Sequence, residues 1–337
     1  MGEVRYTVKR AAELLGATPE KLARHPKAGG FFSRREGLTP PELVAARELL
    51  GIAPPAVSQR RQLFLNFKGG TGKTSLSTAY AYRLWELGYR VLVIDLDSQG
   101  HATKSLGLEG ADYPKTLFDA VIRKVPLREI LVRTAYPGLD LVPSNLSMST
   151  IELALMPLAG REFKLRSALK DLAASEVGRP YDFTILDAPP SFGLLNLNAL
   201  MAANDLLVPV LADFLSFHGL KLLFETVQSL EEDLQHVLDH IFIVVNGFNA
   251  SFKLAKEAKD ALETHYKDFL LRGVVRQCTK FAQASSEGTP IFVFDPASKG
   301  ALDIASLVNE LLLATALPKP ISSKDKGKGK GPAVAGR

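Results

Sequence analysis

A glycine-rich run between an apolar segment and an amphipathic helix carries the clearest chemistry in the sequence: Phe67-Lys68-Gly69-Gly70-Thr71-Gly72-Lys73-Thr74-Ser75. Such a run can turn several backbone N–H groups toward one anion, with the positive end of the following helix behind them. Lys73 is placed to contact the β- and γ-phosphates of a nucleotide, and the Thr74 hydroxyl is placed to bind Mg²⁺. We therefore expect Gly69 to Ser75 to bind a nucleotide.

The run departs from the common P-loop pattern at two positions. The pattern asks for a glycine five residues before Gly72, where this chain has Phe67. Lys68 is a second lysine that the common loop lacks. A glycine-rich turn in some other α/β protein is the alternative, and the sequence Gly-Lys-Thr after a predicted strand argues against it.

Two further apolar segments end in aspartates. Arg90 to Asp95 is too apolar to alternate, as expected for a strand of a parallel sheet, and Asp97 follows closely. Tyr181 to Asp187 is a second such segment and continues into Pro189-Pro190-Ser191. In an open α/β sheet the carboxyl ends of the strands line the ligand crevice, so these carboxylates are expected beside the phosphates. Asp187 is then placed to hold Mg²⁺, commonly through water.

The deviant loop and these two segments, taken in chain order, resemble the ParA/MinD family of P-loop ATPases. The segment 95–103 is similar to the family's Asp-x-Asp-Pro-Gln-Gly-Asn-Ala motif and departs from it at Ser98 and His101. By resemblance, Asp97 orients or activates the attacking water, and Asp95 supports the Mg²⁺ shell or the loop. The alternative for Asp95 is that it only caps the next turn. Serine loosens a turn that proline would stiffen, so the hydrolysis rate is harder to predict than nucleotide binding.

The resemblance extends over residues 62–317 and implies the remaining site residues. They fall into three groups: Lys68, Lys73 and Asp97 for catalysis; Thr74, Asp95 and Asp187 on the metal side; Asn246 and Pro296 beside the nucleotide base. ATP and Mg²⁺ are the implied cofactors. Lys68 has no necessary task inside one subunit, so the resemblance implies a homodimer in which Lys68 reaches the partner's phosphates.

The predicted fold is α/β: a P-loop NTPase domain with a mostly parallel, twisted sheet flanked by helices, plus a small α-helical N-terminal domain. We predict the N-terminal domain over residues 1–55, a linker over 56–61 and the ATPase domain over 62–317. The Lys- and Gly-rich tail 318–337 cannot bury apolar surface and is expected to be disordered.

Residues 1–55 have the pattern of short helices around Gly16, with Thr18-Pro19-Glu20 and Thr39-Pro40-Pro41-Glu42 as helix starts and residues 31–37 as a wing or hairpin. This resembles the helix-turn-helix units that precede some ParA ATPases. Such a unit would direct four basic residues to DNA phosphates: Arg24, Lys27, Arg34 and Arg35. The alternative is a helical arm that docks on the ATPase or on a partner.

The net charge of +5 is unevenly distributed. Residues 318–337 contribute +5 (six Lys/Arg against one Asp) and residues 1–60 contribute +4 (ten against six), which leaves −4 for the middle. DNA binding must therefore depend on local patches. By resemblance, the patch that holds DNA without sequence preference is Lys253, Lys256, Arg272, Arg276 and Lys280. A solvated charged face is the alternative for any one of these residues.

Composition narrows the functional classes. The single cysteine, Cys278, excludes a disulfide framework or a cysteine-ligated cluster within one chain. No long apolar stretch or signal-peptide core is present, so we expect a cytoplasmic protein, and the resemblance implies that it is nucleoid-associated. The favoured function is a DNA-segregation ATPase that dimerises on ATP, binds DNA and is released by hydrolysis that a ParB-like partner stimulates. The alternatives are a positioner of a chemotaxis array or other large assembly, and an ATP-regulated repressor; a membrane positioner is disfavoured, since the tail has no amphipathic helix.

Overall fold

The computed structural model describes residues 4–32, 36–175, 181–213 and 215–316. Arg34 and Arg35, predicted to face DNA, and the predicted tail 318–337 lie outside these residues.

A single sheet organises the described residues. Its strands are β1 (Arg60–Phe64), β2 (Val91–Asp95), β3 (Val132–Arg133), β4 (Leu139–Val142), β5 (Phe183–Asp187), β6 (Asp205–Leu211), β7 (His240–Phe248) and β8 (Leu270–Arg276). The strand order is β3-β4-β2-β5-β1-β6-β7-β8, and every neighbouring pair is parallel except the β3 and β4 pair. The predicted α/β fold with a mostly parallel sheet is confirmed.

Helices cover both faces of the sheet. They are α1 (Val8–Leu14), α2 (Pro19–Ala23), α3 (Gly29–Phe32), α4 (Pro40–Leu49), α5 (Lys73–Glu86), α6 (His101–Ser105), α7 (Leu117–Val121), α8 (Ile151–Leu155), α9 (Lys164–Ala174), α10 (Leu194–Ala202), α11 (Leu215–Leu234), α12 (Lys253–His265), α13 (Lys280–Ser286), α14 (Ile291–Phe294) and α15 (Lys299–Thr315). Four 3-10 helices lie at Gly110–Asp112, Leu127–Glu129, Leu146–Thr150 and Arg161–Phe163.

Successive strand residues pack into two different cores. In β2, Val91 and Val93 join the core that contains α5, α14 and α15, whereas Leu92 and Ile94 join the core that contains α7, α9 and α10. This follows from the two-residue repeat of a strand, which points neighbouring side chains to opposite faces. Because both faces are covered, the strands contain few polar side chains, and their polar residues are concentrated where the strands end.

The first strand begins inside the stretch predicted as a linker, and this corrects the predicted boundary. Arg60, which falls in the predicted linker, is only 4% exposed. Its Nε donates to Asp205 Oδ2 at 2.6 Å and its Nη2 donates to Asp239 Oδ2 at 2.9 Å. A buried guanidinium that is paired in this way can open a strand, although its charge is typical of a linker.

The segment 290–301, which contains Pro296, is partly helical in the structure. It contains the short helix α14, and α15 begins at Lys299. Ile291 and Phe292 are 2% and 4% exposed. Burying these two side chains against α5 explains why the segment folds back as a helix rather than lying open as a loop.

Residues 4–51 form a unit of short helices whose ends are capped as predicted. The hydroxyl of Thr18 accepts from the backbone N–H of Lys21 at 3.3 Å at the start of α2. Thr39 and Glu42 form a capping box at the start of α4. Of the segment predicted as a wing or hairpin, Phe31 and Phe32 lie in α3, which is only four residues long, and residues 33–35 lie outside the described residues.

This N-terminal unit packs against the second half of α5. The hydroxyl of Tyr6 bonds to that of Tyr82. Arg10 Nη2 donates to Glu86 Oε2 at 3.2 Å, and Arg47 Nη2 donates to the backbone oxygen of Glu86 at 2.6 Å. The apolar residues of the unit join the same core as α5. These contacts are those expected of a docking arm, and DNA recognition by the unit stays a prediction.

Replacing Glu86 with Gln should lower the free energy of unfolding by about 2 kcal/mol, since a buried carboxylate shared by cations is costly to remove. Glu86 is 1% exposed and accepts from Arg10 at 3.2 Å and from Arg83 at 2.7 Å. Urea denaturation measures the effect. The matched control is Glu48→Gln, an exposed residue of α4, which should stay within about 0.5 kcal/mol of wild type. Equal losses in the two variants would show that the Glu86 contacts do not hold the unit in place.

Candidate nucleotide site

The glycine-rich run joins β1 to α5 at the carboxyl edge of the sheet. Gly70 and Gly72 have φ angles of +73° and +89°, in the region that favours glycine. A Cβ on Gly72 would lie 2.1 Å from Nδ2 of Asn246, so a side chain has no room there. Because α5 begins at Lys73, the free N–H groups of its first turn, which include that of Ser75, face the loop.

The two residues predicted to hold the metal, Thr74 and Asp187, are in contact between α5 and β5. Thr74 Oγ1 donates to Asp187 Oδ2 at 2.7 Å, and Ser77 Oγ donates to Asp187 Oδ1 at 2.9 Å. Asp187 is 0% exposed, and burial raises its pKa to about 6. A buried carboxylate of this kind is stabilised by any cation that reaches it.

Asp95 lies beside Asp187 in the sheet, but its carboxylate accepts hydrogen bonds from the turn and helix that follow β2. Oδ1 accepts from the backbone N–H of Asp97 at 3.1 Å, and Oδ2 accepts from N and Oγ1 of Thr103 at 2.8 and 2.7 Å. Burial, followed by the charge of Asp187, raises the pKa of Asp95 to about 7. These contacts favour the capping role of Asp95, and direct contact with Mg²⁺ stays a prediction.

Asp97 lies at the rim of the site, half-buried. Its Oδ1 accepts from the backbone N–H of Gln99 at 3.0 Å, which fixes the orientation of the carboxylate within the turn. The acidic groups of Asp97 and Asp187 both act on the ammonium of Lys73. The structure therefore brings the predicted water-orienting carboxylate and the predicted phosphate-binding lysine to one site.

Lys73 is 6% exposed, and its Nζ donates to the backbone oxygen of Lys68 at 3.3 Å. Burial lowers the pKa of Lys73, and the carboxylates of Asp187 and Asp97 oppose this effect. A desolvated ammonium held against the loop is well placed to gain from phosphate charge. Gly69 lies on the same loop, where its Cβ would be 4.0 Å from Cβ of Pro190 in the Pro-Pro turn.

Lys68 has a partner within its own subunit, which corrects the expectation that it has no task there. Its Nζ lies 2.8 and 3.1 Å from the two carboxylate oxygens of Asp213, just after β6. The two side chains are 31% and 38% exposed. An ion pair this accessible contributes at most about 1 kcal/mol, so it can be exchanged for another anion at small cost.

Asn246 lies against the glycine-rich loop, and its implied contact with the nucleotide base stays a prediction. Its Nδ2 donates to the backbone oxygen of Thr71 at 2.8 Å, and Thr71 itself is fully buried. Pro296 instead lines a cavity of about 930 Å³ that Tyr6, Tyr136 and Phe292 also line. The role of Pro296 beside the base therefore stays a prediction.

The predicted DNA-binding residues lie on three consecutive elements, and their surroundings differ. Lys256 and Arg272 are exposed. Lys253 is 89% exposed and lies 3.4 Å from Glu257. Two others have close neighbours: Arg276 is 2.8 Å from Asp303, and Nζ of Lys280 is 5.5 Å from the ring centre of Phe294. Lys256 and Arg272 are thus the members best placed to meet a phosphate.

Sequence reasoning missed Ser77 and Asp213. Ser77 follows Thr74 by three residues and so lies on the same face of α5, a spacing that could have indicated the second donor to Asp187. Asp213 follows a predicted strand, and the rule that strand ends converge on the ligand could have indicated it. The pairing of Asp213 with Lys68 required the strand order, which puts β6 next to β1.

The donor set fits Mg²⁺, which prefers oxygen ligands in octahedral geometry. Thr74 offers a hydroxyl and Asp187 a carboxylate. In residues 4–32, 36–175, 181–213 and 215–316, no group of three or more His, Cys, Asp or Glu side chains could hold a metal ion by itself. Phosphate and water oxygens would complete such a shell in a site where a metal is bound together with a nucleotide.

Comparisons with known proteins agree with this site. A family model described as an AAA domain matches residues 61–240. The cell division protein PomZ of Myxococcus xanthus is 61% identical over 98% of both chains. The sporulation initiation inhibitor protein Soj of Bacillus subtilis is 32% identical over 72% of this chain and 95% of its own. Cobyrinic acid a,c-diamide synthase of Mycobacterium smegmatis, with an ATP analogue and magnesium bound, is 26% identical with a TM-score of 0.64 over 78% of this chain and 98% of its own.

The sheet order, the glycine-rich loop and the Thr74–Asp187 pair define a P-loop ATPase that hydrolyses ATP and uses ATP and Mg²⁺ as cofactors. Within that class the chain belongs to the ParA/MinD family. No helix of the described residues is long and apolar enough to cross a membrane.

The nucleotide-free protein should lose stability as the pH rises from about 4 to about 6, because the pKa of Asp187 is raised from 3.8 to about 6 and the folded state keeps a proton that the unfolded state releases. Asp187→Asn should remove this contribution, up to about 3 kcal/mol for a pKa difference of this size. Urea denaturation at several pH values, without Mg²⁺, measures it. The control is Asp260→Asn on the exposed face of α12, which should keep the wild-type slope. The same slope in Asp187→Asn as in wild type would contradict the assignment.

Proposed function

We propose that this chain is a positioning ATPase that dimerises on ATP, binds DNA without sequence preference and is released when a partner protein stimulates hydrolysis. Its proposed location is the nucleoid surface. The proposed cargo is a cell-division assembly, and chromosome or plasmid DNA is the second candidate.

The extent of the PomZ match carries the choice of cargo. PomZ, a cell division protein, aligns over 98% of this chain at 61% identity. Soj and the Myxococcus xanthus ParA align over 72% and 73% of this chain, although those matches span 95% and 86% of their own chains. The PomZ match thus reaches into the N-terminal unit, which lies outside the 61–240 ATPase match. An N-terminal unit that this chain shares with PomZ supports the proposal that the two proteins position the same class of cargo.

Exposed apolar side chains beside the nucleotide site support dimerisation. Leu146, Leu153 and Met156 lie on and beside α8, and are 73%, 68% and 52% exposed. Phe192, which follows the Pro-Pro turn, is 66% exposed and packs edge-on against the ring of Phe67 in the loop. Large apolar side chains left in water next to a ligand site are typical of an interface. A second copy of this chain, bound across the nucleotide, would cover them.

The basic residues support DNA binding of an electrostatic kind. Lys256 and Arg272 are exposed, and a dimer would present each of them twice. Such contacts require only phosphates, so binding should be independent of sequence and fall steeply with salt. Retention of the dimer on a DNA-coated surface at low and high salt tests this dependence.

Cells that lack this protein should place division septa away from their normal position while each daughter cell keeps its DNA, because the cargo is the division assembly. Phase-contrast microscopy measures septum position, and a DNA stain counts cells without DNA. Expression of wild-type protein should restore both measures. DNA-free cells with normally placed septa would instead support the partition candidate.

Lys68→Ala should abolish the ATP-dependent dimer, because the proposed contact of Lys68 with the partner's phosphates is lost. The comparison is made in an Asp97→Ala background, in which slow hydrolysis should let the dimer accumulate. Light scattering after gel filtration with ATP measures the mass, and binding to a DNA-coated surface at low and high salt measures retention. Lys68→Ala should reduce DNA retention about tenfold or more.

Nucleotide binding by the Lys68→Ala monomer should persist, since Lys73 and the loop remain. The matched control is Lys115→Ala, a lysine paired with Glu129 at 3.7 Å and 50% exposed, which should dimerise as wild type. A dimer of normal stability in Lys68→Ala would rule out the proposed contact between Lys68 and the partner's phosphates. A dimer that does not bind DNA would rule out the proposed DNA binding.

A further inference from the structure

Behind the turn that carries Asp97, three segments meet at Thr103. Asp95, Thr103 and Ser144 are each 0% exposed. Thr103 donates to Asp95 Oδ2 from its backbone N at 2.8 Å and from its Oγ1 at 2.7 Å. The same Oγ1 accepts from the backbone N of Ser144 at 3.0 Å. One hydroxyl therefore connects the end of β2, the helix α6 and the segment after β4.

This junction holds the Asp97 turn at both of its ends. At the first end, the backbone N–H of Asp97 donates to Asp95 Oδ1 at 3.1 Å. Within the turn, the N–H of Gly100 donates to the oxygen of Asp97 at 2.9 Å. Gly100 is itself confined, since a Cβ there would lie 3.0 Å from the backbone oxygen of Ser144. The position of Asp97 thus depends on contacts made to Asp95 and Ser144.

We propose that Thr103 is a positioning residue for ATP hydrolysis, which fixes Asp95 and through it the placement of Asp97. The inference rests on the proposed role of Asp97 in orienting the attacking water. Thr103 reaches Asp97 only through other groups, so its effect is on geometry. A misplacement of about 1 Å at a catalytic group can reduce a rate by about a hundredfold, so a small shift of this turn is sufficient.

The position of Thr103 requires a side chain that both donates and accepts a hydrogen bond. The hydroxyl gives its proton to Asp95 and offers a lone pair to the N–H of Ser144. Valine has the same shape without either function, so Thr103→Val leaves a buried carboxylate short of one donor and a buried N–H without an acceptor. Serine keeps both functions and lacks only the methyl group.

Steady-state ATP hydrolysis by the full chain tests the proposal. Thr103→Val should lower kcat roughly tenfold while KM for ATP changes less than about twofold, since the phosphate loop is untouched. Thr103→Ser should stay within about twofold of wild type in kcat. Asp95→Asn leaves one acceptor oxygen where the donors of Thr103 and Asp97 now use two, so it disrupts the same junction from the acceptor side and should lower kcat similarly. The Thr103→Val and Asp95→Asn losses should be less than multiplicative when combined, because both act on one contact.

The control is Thr315→Val, a threonine that is 5% exposed and donates to the oxygen of Leu311 at 2.8 Å in α15, far along the chain from the site. Its kcat should be unchanged, with melting temperatures recorded for all variants. A wild-type kcat in Thr103→Val, or an equal loss in Thr103→Ser, overturns the proposal. If Thr103→Val does not fold, a wild-type kcat in Asp95→Asn overturns it instead.

Asp97→Ala is measured in parallel. Normal turnover in Asp97→Ala refutes the proposed role of Asp97. An inactive Asp97→Ala together with an active Thr103→Val refutes only the positioning role of Thr103.

Discussion

The carboxylate of Asp187 is out of contact with water, and the rest of the site is arranged around satisfying it. A buried charge is costly unless hydrogen bonds or cations compensate it. Two hydroxyls of α5, from Thr74 and Ser77, donate to its two oxygens. These bonds fix the register of α5 against β5, and with it the direction in which Lys73 and the N-terminal N–H groups of the helix point. The loop that binds phosphate is therefore positioned by the group that binds the metal.

The helix α5 also links the site to the N-terminal unit. It begins at Lys73 and ends at Glu86, 14 residues that span about 20 Å. At its far end, Arg10 and Arg47 contact Glu86. A packed helix transmits displacement along its axis, because its interior neighbours resist bending. The N-terminal unit is consequently part of the support of α5, the helix whose first turn follows the glycine-rich loop.

Much of the site was predictable because parallel strands end at one edge. This rule predicted Asp187 beside the loop, where Asp187 accepts a hydrogen bond from Thr74, and the structure also brings Asn246 against the loop. The rule could not show that both carboxylate oxygens of Asp95 accept hydrogen bonds from the turn and helix that follow it, since that depends on where α6 begins. Nor could it show that Arg60 opens a strand, because two consecutive arginines at the end of a predicted linker give no sign of burial, and only the buried partner Asp205 makes Arg60 structural.

The pair between Lys68 and Asp213 links the single subunit to the proposed dimer. Both side chains are about one-third exposed, so water screens the pair and its net stabilisation is small. In the proposed dimer, a phosphate in the closed interface would carry more charge and be screened less, so transfer of Lys68 from Asp213 to that phosphate would be favourable. Without Asp213, Lys68 would stand as an unmatched positive charge on the loop and would repel the same lysine of an approaching copy. In this proposal, Asp213 holds Lys68 in place until a nucleotide competes for it.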